Sequence, residues 1–552
     1  MVSKIGILTA LLLVLSLPFV VRFSVGRPGL GAGSGGGVGS APTEKLIVVT
    51  PHVEQIRDEY GAAFTRWHAR TYGTSVKIDW RTPGGTSDIM KQLEATAQAA
   101  VRDGKLVGAA PDGVLAPGAA GADVFFGGGS FEHSKMKEDK AVVAGGGGQR
   151  LVYRLGRPAG FEQKQLDEWY GENKIGVQTI YDPDQYWMGT ALSGFGIVYN
   201  RDVLRGLGVG EPRGFKDLTD PRYANLLALA DGRQSGSITT TYESILNKYG
   251  WAEGWRILRE MSANARYFAA AATRVPVDVG QGEAAAGLSI DFYGRGQAQF
   301  LLAEGQDPGE GRVGYVDPEG AVYIDADPVS ILNGAGNFEL ARRFVEFCLT
   351  EEAQALWQFR TPEHAARVLA CCGLTAGTQP KLGDDYPRDA DGEPFGPRQY
   401  ELRRMPVRRV MYEKYATYMV DATDPFTIAS DVKSRGWRSA IPPMMASFGI
   451  DTASEARAAW RALNRARDAA RGDLALSPGV VAEMEALFYA FPKHTMRDGS
   501  VVEFSEANFK AIRDDTARWR DPEHGKRSLI GYTNFFRDNY RRVVAIGREH
   551  GL

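Results

Sequence analysis

Between Arg233 and Thr240 the chain reads RQSGSITT, and the side chains there that can donate hydrogen bonds to an anion include Arg233, Ser235, Ser237, Thr239 and Thr240. Gly232 and Gly236 let the backbone turn sharply and approach a ligand closely. Upstream, Leu226, Leu227, Ala228 and Leu229 form a short apolar run, as in a strand covered on both faces. Downstream, Ile238, Tyr242, Ile245, Leu246 and Tyr249 recur at helical spacing, and Gly250 reads as a stop. Strand, polar turn and helix in that order place hydroxyls and free backbone N–H groups at the positive end of a helix dipole. The same residues also read as plain caps: Ser237, or Thr240 with Glu243 as a capping box.

Other elements must bring further loops to such a turn. Leu46–Thr50 is a strand, and Pro51-His52 leads into a helix with the stripe Val53, Ile56, Tyr60, Phe64 and Trp67. Val76, Ile78 and Trp80 alternate as a second strand. Pro83–Ser87 (PGGTS) then opens a helix with Ile89, Leu93 and Ala97. Ala122–Phe126 is a third strand, followed by Gly127, Gly128, Gly129 and Ser130. Repeated strand, loop and helix predict a parallel α/β sheet with its ligand loops at the carboxyl ends of the strands. Neither glycine-rich loop matches a dinucleotide or Walker fingerprint. Together with the turn at 233–240 they read as the rim of a binding cleft.

The chain has 552 residues, enough for two or three domains. Its formal charge of −2 gives no basic excess, so no nucleic-acid partner is expected. The three cysteines, Cys348, Cys371 and Cys372, form no C-x-x-C pair, which argues against a structural zinc site; no cofactor or metal is expected. Cys371 and Cys372 are either a vicinal disulfide or free thiols. Lys4 followed by the apolar run Ile5–Val21 reads as an export signal or a membrane anchor; the lack of a clean A-x-A site favours the anchor. Gly29–Pro42 is a flexible spacer, so residues 1–43 stand apart from the folded part. Gly373–Pro397 reads as a surface loop, and the chain from about 380 to 552 reads as largely helical.

Asp217-Leu218, Asp220-Pro221-Arg222-Tyr223, Leu229-Ala230-Asp231, Ser235-Gly236-Ser237 and the Trp251–Leu258 segment occur in an order that resembles bacterial extracellular solute-binding proteins, in the ferric-iron and phosphonate/sugar-phosphate branch of the type II periplasmic binding fold. Gly194–Asn200 resembles the first crossing strand of that fold, Val322–Ile331 the return, and Asn337–Trp357 the helix pair that closes lobe one. The resemblance implies an α/β, two-lobed fold with crossing hinge strands. Lobe one would be 44–193 with 322–379, lobe two 194–321, and the helical extension 380–552 would pack on lobe one.

The resemblance also implies the site. Lobe one would give Thr86, Ser87, Gly129 and Ser130. Lobe two would give Ser235, Gly236, Ser237 and Arg233, with Asp291 and Tyr293 at the cleft or its edge. His52 would add a charge near neutral pH. Asp291 and Asp327 would serve a ligand's hydroxyls or ammonium, or support the hinge. The iron branch uses two adjacent tyrosines, a histidine and a glutamate; this sequence has Phe292-Tyr293 and Gly127-Gly128 at the tyrosine and glutamate positions, which leaves that set incomplete. The implied function is the monomeric, periplasmic, non-enzymatic solute-binding component of an ABC importer. It would hold a small anionic ligand, phosphorylated or phosphonate-like, and present it to a membrane permease. A ferric-iron-binding protein, a membrane-tethered sensor and a hydrolase are the alternatives. No G-x-S-x-G or H-E-x-x-H motif supports the last.

Overall fold

A computed structural model describes residues 43–108, 112–144, 149–303, 309–318, 320–369, 382–421, 423–471 and 477–552. The amino-terminal apolar run, its spacer and the Cys371-Cys372 pair lie outside these residues. Among the described residues no helix is long and apolar enough to cross a membrane.

The longer strands of the main sheet are β1 (Thr43–Val49), β2 (Ser75–Arg81), β3 (Val124–Phe126), β4 (Met188–Asn200), β5 (Leu227–Ala230), β6 (Ala265–Ala269), β7 (Ala286–Ile290), β8 (Val313–Val316) and β9 (Ile324–Leu332), and the two-residue strands Gly156–Arg157 and Met405–Pro406 pair with β9 and β4. Their spatial order is β6-β5-β7-β4-β9-β3-β1-β2, with β8 also paired to β4. β1 runs parallel to β2 and β3, and β5 runs parallel to β6 and β7. Between these two parallel sets lie β4 and β9, antiparallel to each other and to their outer neighbours β7 and β3. β4 therefore belongs to both halves. Met188–Gly194 pairs with β9, and Phe195–Tyr199 pairs with β7. All 13 residues of β4 are buried, which fits its continuous apolar and small-residue sequence MGTALSGFGIVYN. The crossing strand thus begins six residues before the Gly194 expected from sequence.

Each half has its own core. In the first, Leu46 and Val48 of β1 and Phe126 of β3 pack with Phe64 of helix α1 (Glu54–Tyr72) and Phe344 of a later helix. On the sheet's other face, helix α2 (Thr86–Arg102) sets Ile89 and Leu93 against Phe125. In the second half, Leu227 and Leu229 of β5 pack under helix α3 (Gly236–Asn264), through Tyr242, Ile245 and Leu246. Gly250 has φ 81° and breaks α3 into two helical segments, so the stop expected there is a kink.

The carboxyl-terminal region is divided between the halves, contrary to its expected place on lobe one. Leu402, Met405 and Val407 join the core of the first half. Buried residues from Trp437 to Ala466 and from Met484 to Ile546 join the core of the second. Trp437, Ile441, Phe448, Trp460, Phe488 and Phe536 share one buried cluster with Trp251 and Trp255 of α3. The reason is the broad apolar surface of α3 after the kink, where Trp251, Trp255, Leu258 and Met261 face away from β5 as well as towards it and need a second cover. Arg259 completes the joint: it is buried, lies 4.9 Å from the Phe491 and Phe536 rings, and donates to the Phe488 and Ala490 carbonyls.

Deleting residues 437–552 should therefore expose the Trp251/Trp255 surface, and the shortened chain is expected to aggregate on expression. A soluble, monomeric product that unfolds cooperatively at the parent temperature would contradict this division of the core.

Candidate functional site

The turn after β5 is fixed by its own side chains. Ser235 is the N-cap of α3, its Oγ accepting from the Ile238 N–H at 3.4 Å, and the Ser237 Oγ lies 3.1 Å from it. The cap is thus neither Ser237 nor Thr240. Thr239 and Thr240 turn their hydroxyls back on the Gly232 and Gly236 carbonyls. Arg233 does not join the other predicted site residues. It folds onto Asp231, with Nε 3.0 Å from one carboxylate oxygen, and reaches Asp451 at 3.5 Å. This local pairing takes up the charge expected to face the cleft.

The loop after β3 meets this turn from the opposite half. The Ser130 Oγ donates to Asp325 Oδ1 at 2.5 Å, and its backbone N–H approaches Oδ2 at 3.3 Å. Gly129 lies against the same carboxylate. Thr86, at the start of α2, packs on Gly128, and Ser87 follows it half-buried in the first turn. The Glu132 carboxylate lies 3.7 Å from where a side chain at Gly236 would begin, so it faces the amino end of α3. Lys135 pairs with Glu132 at 3.4 Å. The structure thus brings Glu132, two residues after Ser130, to Gly236 at the amino end of α3.

Arg438, from the carboxyl-terminal region, closes this band. It donates to Thr240 Oγ1 at 2.9 Å, to Glu243 at 3.1 Å and to the Gly236 carbonyl at 3.0 Å, and it stacks 4.5 Å from the Phe131 ring of the first half. Burial pushes the Asp325 carboxyl up to about 6, against the pull of the Ser130 hydroxyl and the Arg438 charge. The band therefore holds donors suited to an oxyanion next to carboxylates suited to hydroxyl groups.

A second cluster sits at the hinge. His52 follows β1 and is buried; its Nε2 lies 3.1 Å from Asp327 Oδ2 and 3.0 Å from Arg404 Nη1. Arg404 forms an ion pair with Asp327, whose other oxygen accepts from the Gly128 N–H at 2.9 Å. Gly127 can only be glycine here. Its φ is +94°, and His52 Nε2 would stand 2.3 Å from a Cβ. Burial, then Arg404 and Arg57, hold the His52 pKa well below its usual value. The imidazole is neutral, and the positive charge expected of it comes from Arg404 instead.

Arg404 also covers the Phe292 ring at 3.9 Å, beside Tyr293. Burial keeps the Tyr293 phenol protonated, with Arg404 opposing. Tyr293 lines a groove of about 940 Å³ between the amino end of α1, the helix α4 (Asp291–Phe300) and the 399–402 segment. Asp291 does not line that groove; it is buried in the first turn of α4. Burial pushes its carboxyl up to about 7, against Arg295 and the backbone N–H groups of Phe292 and Gly194.

Sequence reasoning missed Glu132, Asp325, Arg404 and Arg438. One signal was present: Asp325 and Asp327 alternate in the apolar strand IDADPVSIL, so both leave the same face. The two arginines had none, because each reaches the site from far along the chain.

Asp291 generates a pH prediction. Its folded pKa lies above the unfolded value, so its stabilising contribution is complete below about pH 4 and is lost as pH rises through about 7. The melting temperature of Asp291→Asn minus that of the parent should therefore rise between pH 4 and pH 8. A difference that stays flat over that range would refute the buried, neutral carboxyl.

A family model described as bacterial extracellular solute-binding protein matches residues 159–370. An uncharacterised Haemophilus influenzae protein is 28% identical over 211 residues, which are 38% of this chain and 57% of that protein. The phosphoglycerate transport regulatory protein PgtC of Salmonella typhimurium is 25% identical over 283 residues, 50% of this chain and 66% of that protein. The chain thus spans less than two thirds of either relative. Among solved structures, the periplasmic binding protein AfuA from Actinobacillus pleuropneumoniae, with exogenous fructose-6-phosphate bound, is 17% identical with a TM-score of 0.41, over 57% of this chain and 82% of that one. The segment 159–370, which holds both crossing strands and the whole second half of the sheet, is thus the part of this chain that is similar to bacterial extracellular solute-binding proteins.

Proposed function

We propose that this chain is the extracytoplasmic solute-binding component of an ABC importer, and that its ligand is a small anion that also carries hydroxyl groups. One observation carries the reading. The amino end of α3, with Ser235, Gly236 and Ser237, meets Glu132 of the other half at Gly236. The Arg438 guanidinium stands beside it, on the Gly236 carbonyl. Backbone N–H groups, hydroxyls and a guanidinium suit a phosphate or phosphonate. Glu132 and Asp325 would repel a bare anion, so they are assigned to the ligand's hydroxyl groups. A phosphorylated hydroxy acid or polyol meets both demands. The name of the Salmonella relative adds support and makes phosphoglycerate the first compound to test. The same name supports a second reading, in which occupancy is reported to a membrane partner rather than passed on for import.

The ferric alternative is weaker on geometry. Where adjacent tyrosines would serve, Phe292 lies under the Arg404 guanidinium at 3.9 Å, and His52 Nε2 is already engaged by Asp327 and Arg404. A fixed cation at that place opposes a ferric ion.

A thermal-shift screen separates these readings, because a ligand that binds the folded state raises the melting temperature by mass action. Phosphoglycerates or sugar phosphates should stabilise the protein, and ferric salts should not. A shift with ferric salt alone, with a tyrosinate charge-transfer colour, would overturn the assignment.

Ser235→Ala with Ser237→Ala should weaken phosphorylated ligands by about 1.5–3 kcal/mol per lost hydrogen bond to the anion. Loss of the Ser235 cap should lower stability by only about 1 kcal/mol. Calorimetry that finds unchanged affinity in a folded double variant would remove the site from this turn.

A further inference from the structure

Outside the cleft, the carboxyl-terminal region holds a cluster that the solute-binding reading does not use. His494 lies in the short strand Lys493–Thr495, Asp515 ends the helix Phe509–Asp515, and His524 begins the last long helix, α5 (His524–Glu549). His494 Nε2 is 3.1 Å and His524 Nε2 is 2.6 Å from the same oxygen, Asp515 Oδ2. The three ligand atoms lie within 4.8 Å of one another. Three separate pieces of chain thus converge on one point with two imidazole nitrogens and one carboxylate oxygen.

We propose that His494, Asp515 and His524 bind a divalent transition-metal ion, with Zn²⁺ the best match. Two imidazoles and a carboxylate are a common three-ligand set for zinc, with water completing the tetrahedron. Zinc–ligand bonds of ~2.0–2.1 Å set the ligands of a tetrahedral site ~3.3 Å apart. The His494–Asp515 separation of 3.1 Å already meets that spacing. The His524 pair, at 2.6 Å, has to open by less than an ångström. His494 is buried, whereas the His524 side chain is 18% exposed, which gives an ion a way in. The outer contacts are also in place. Tyr532 Oη lies 2.7 Å from His494 Nδ1, and the second Asp515 oxygen accepts from the Arg497 N–H at 3.2 Å. Such partners orient metal ligands and hold their ring planes.

The connection between Asp515 and His524 is built for this convergence. Ala517, Arg518 and Trp519 all have positive φ, 48°, 57° and 58°. Successive left-handed residues that are not glycine are sterically disfavoured, because Cβ crowds the carbonyl oxygen that follows. They persist because Trp519 is buried and its N–H donates to the Thr516 hydroxyl at 3.1 Å. This turn folds His524 back onto Asp515. Gly525 permits it, since a Cβ there would stand 3.0 Å from the Trp519 backbone. An ion would then clip the 493–495 strand, the 509–515 helix and α5 together. The cysteine-based argument against a zinc site does not bear on this donor set.

The competing account is a metal-free hydrogen-bonded triad, with both imidazoles donating to one carboxylate. The full chain, stripped with a chelator and dialysed, separates the two accounts by calorimetric titration with Zn²⁺ and by visible absorption with Co²⁺. One equivalent of Zn²⁺ should bind, Co²⁺ should give the intense bands of a tetrahedral site, and the melting temperature should rise with the ion. His524→Gln, at the most exposed ligand, should weaken binding by about 100-fold or more while the metal-free variant melts close to the parent. Asp515→Asn should do the same and serves as the second variant. Absence of saturable binding to the parent, or equal Zn²⁺ affinity in folded His524→Gln and Asp515→Asn proteins, would overturn the proposal in favour of the hydrogen-bonded triad.

Discussion

The strand Met188–Asn200 is the constraint on which the rest of the fold depends. It is buried along its whole length and must find hydrogen-bond partners on both edges in both halves. The first half supplies Ile324–Leu332, and the second supplies Ala286–Ile290 and Val313–Val316. Once those pairings form, the parallel sets on either side inherit their direction. Their carboxyl-terminal loops then open towards each other. The loop after β3 and the turn after β5 could not face across one gap if the two sheets were joined by a free linker. The register break between Asp327 and Pro328 falls at the same hinge, where proline has no N–H to give to the ladder.

That geometry buries carboxylates, and the arginines answer them. Asp325 and Asp327 leave one face of the return strand, in a place where water is excluded. An isolated buried charge costs several kcal/mol, so such a strand needs cations or protons nearby. Asp327 is met by Arg404 and by the Gly128 N–H, and Asp325 by the Ser130 hydroxyl and the field of Arg438. Both arginines come from beyond the segment that matches the family model. The carboxyl-terminal region is therefore part of the cleft's electrostatics.

The same region also completes the packing. α3 carries more aromatic surface than β5 can cover, and the helices from Trp437 onward take up the remainder. Arg259 sits within that joint, with its charge spread over aromatic faces and main-chain carbonyls rather than set against a carboxylate. The division of the region, part on each half, follows from where apolar surface is left uncovered.

The sequence alone determined what is local or periodic. Alternation and helical spacing placed β1, β2, β3, β5 and the helices α1 and α2, because side-chain period reports which face is buried. Turn chemistry located the Ser235–Ser237 stretch and the Gly127–Ser130 loop, since few residue types tolerate those backbones. Tertiary structure decided what depends on distance along the chain. It turned Arg233 onto Asp231, made His52 neutral by burying it beside Arg404, and buried Asp291 in the first turn of a helix instead of in the groove. It also brought Arg404, Arg438 and the His494, Asp515 and His524 cluster into place from segments with no motif of their own. A side chain's charge and reach can be read from its type. Which partner it meets is set by how hundreds of residues pack, and no short window of sequence contains that information.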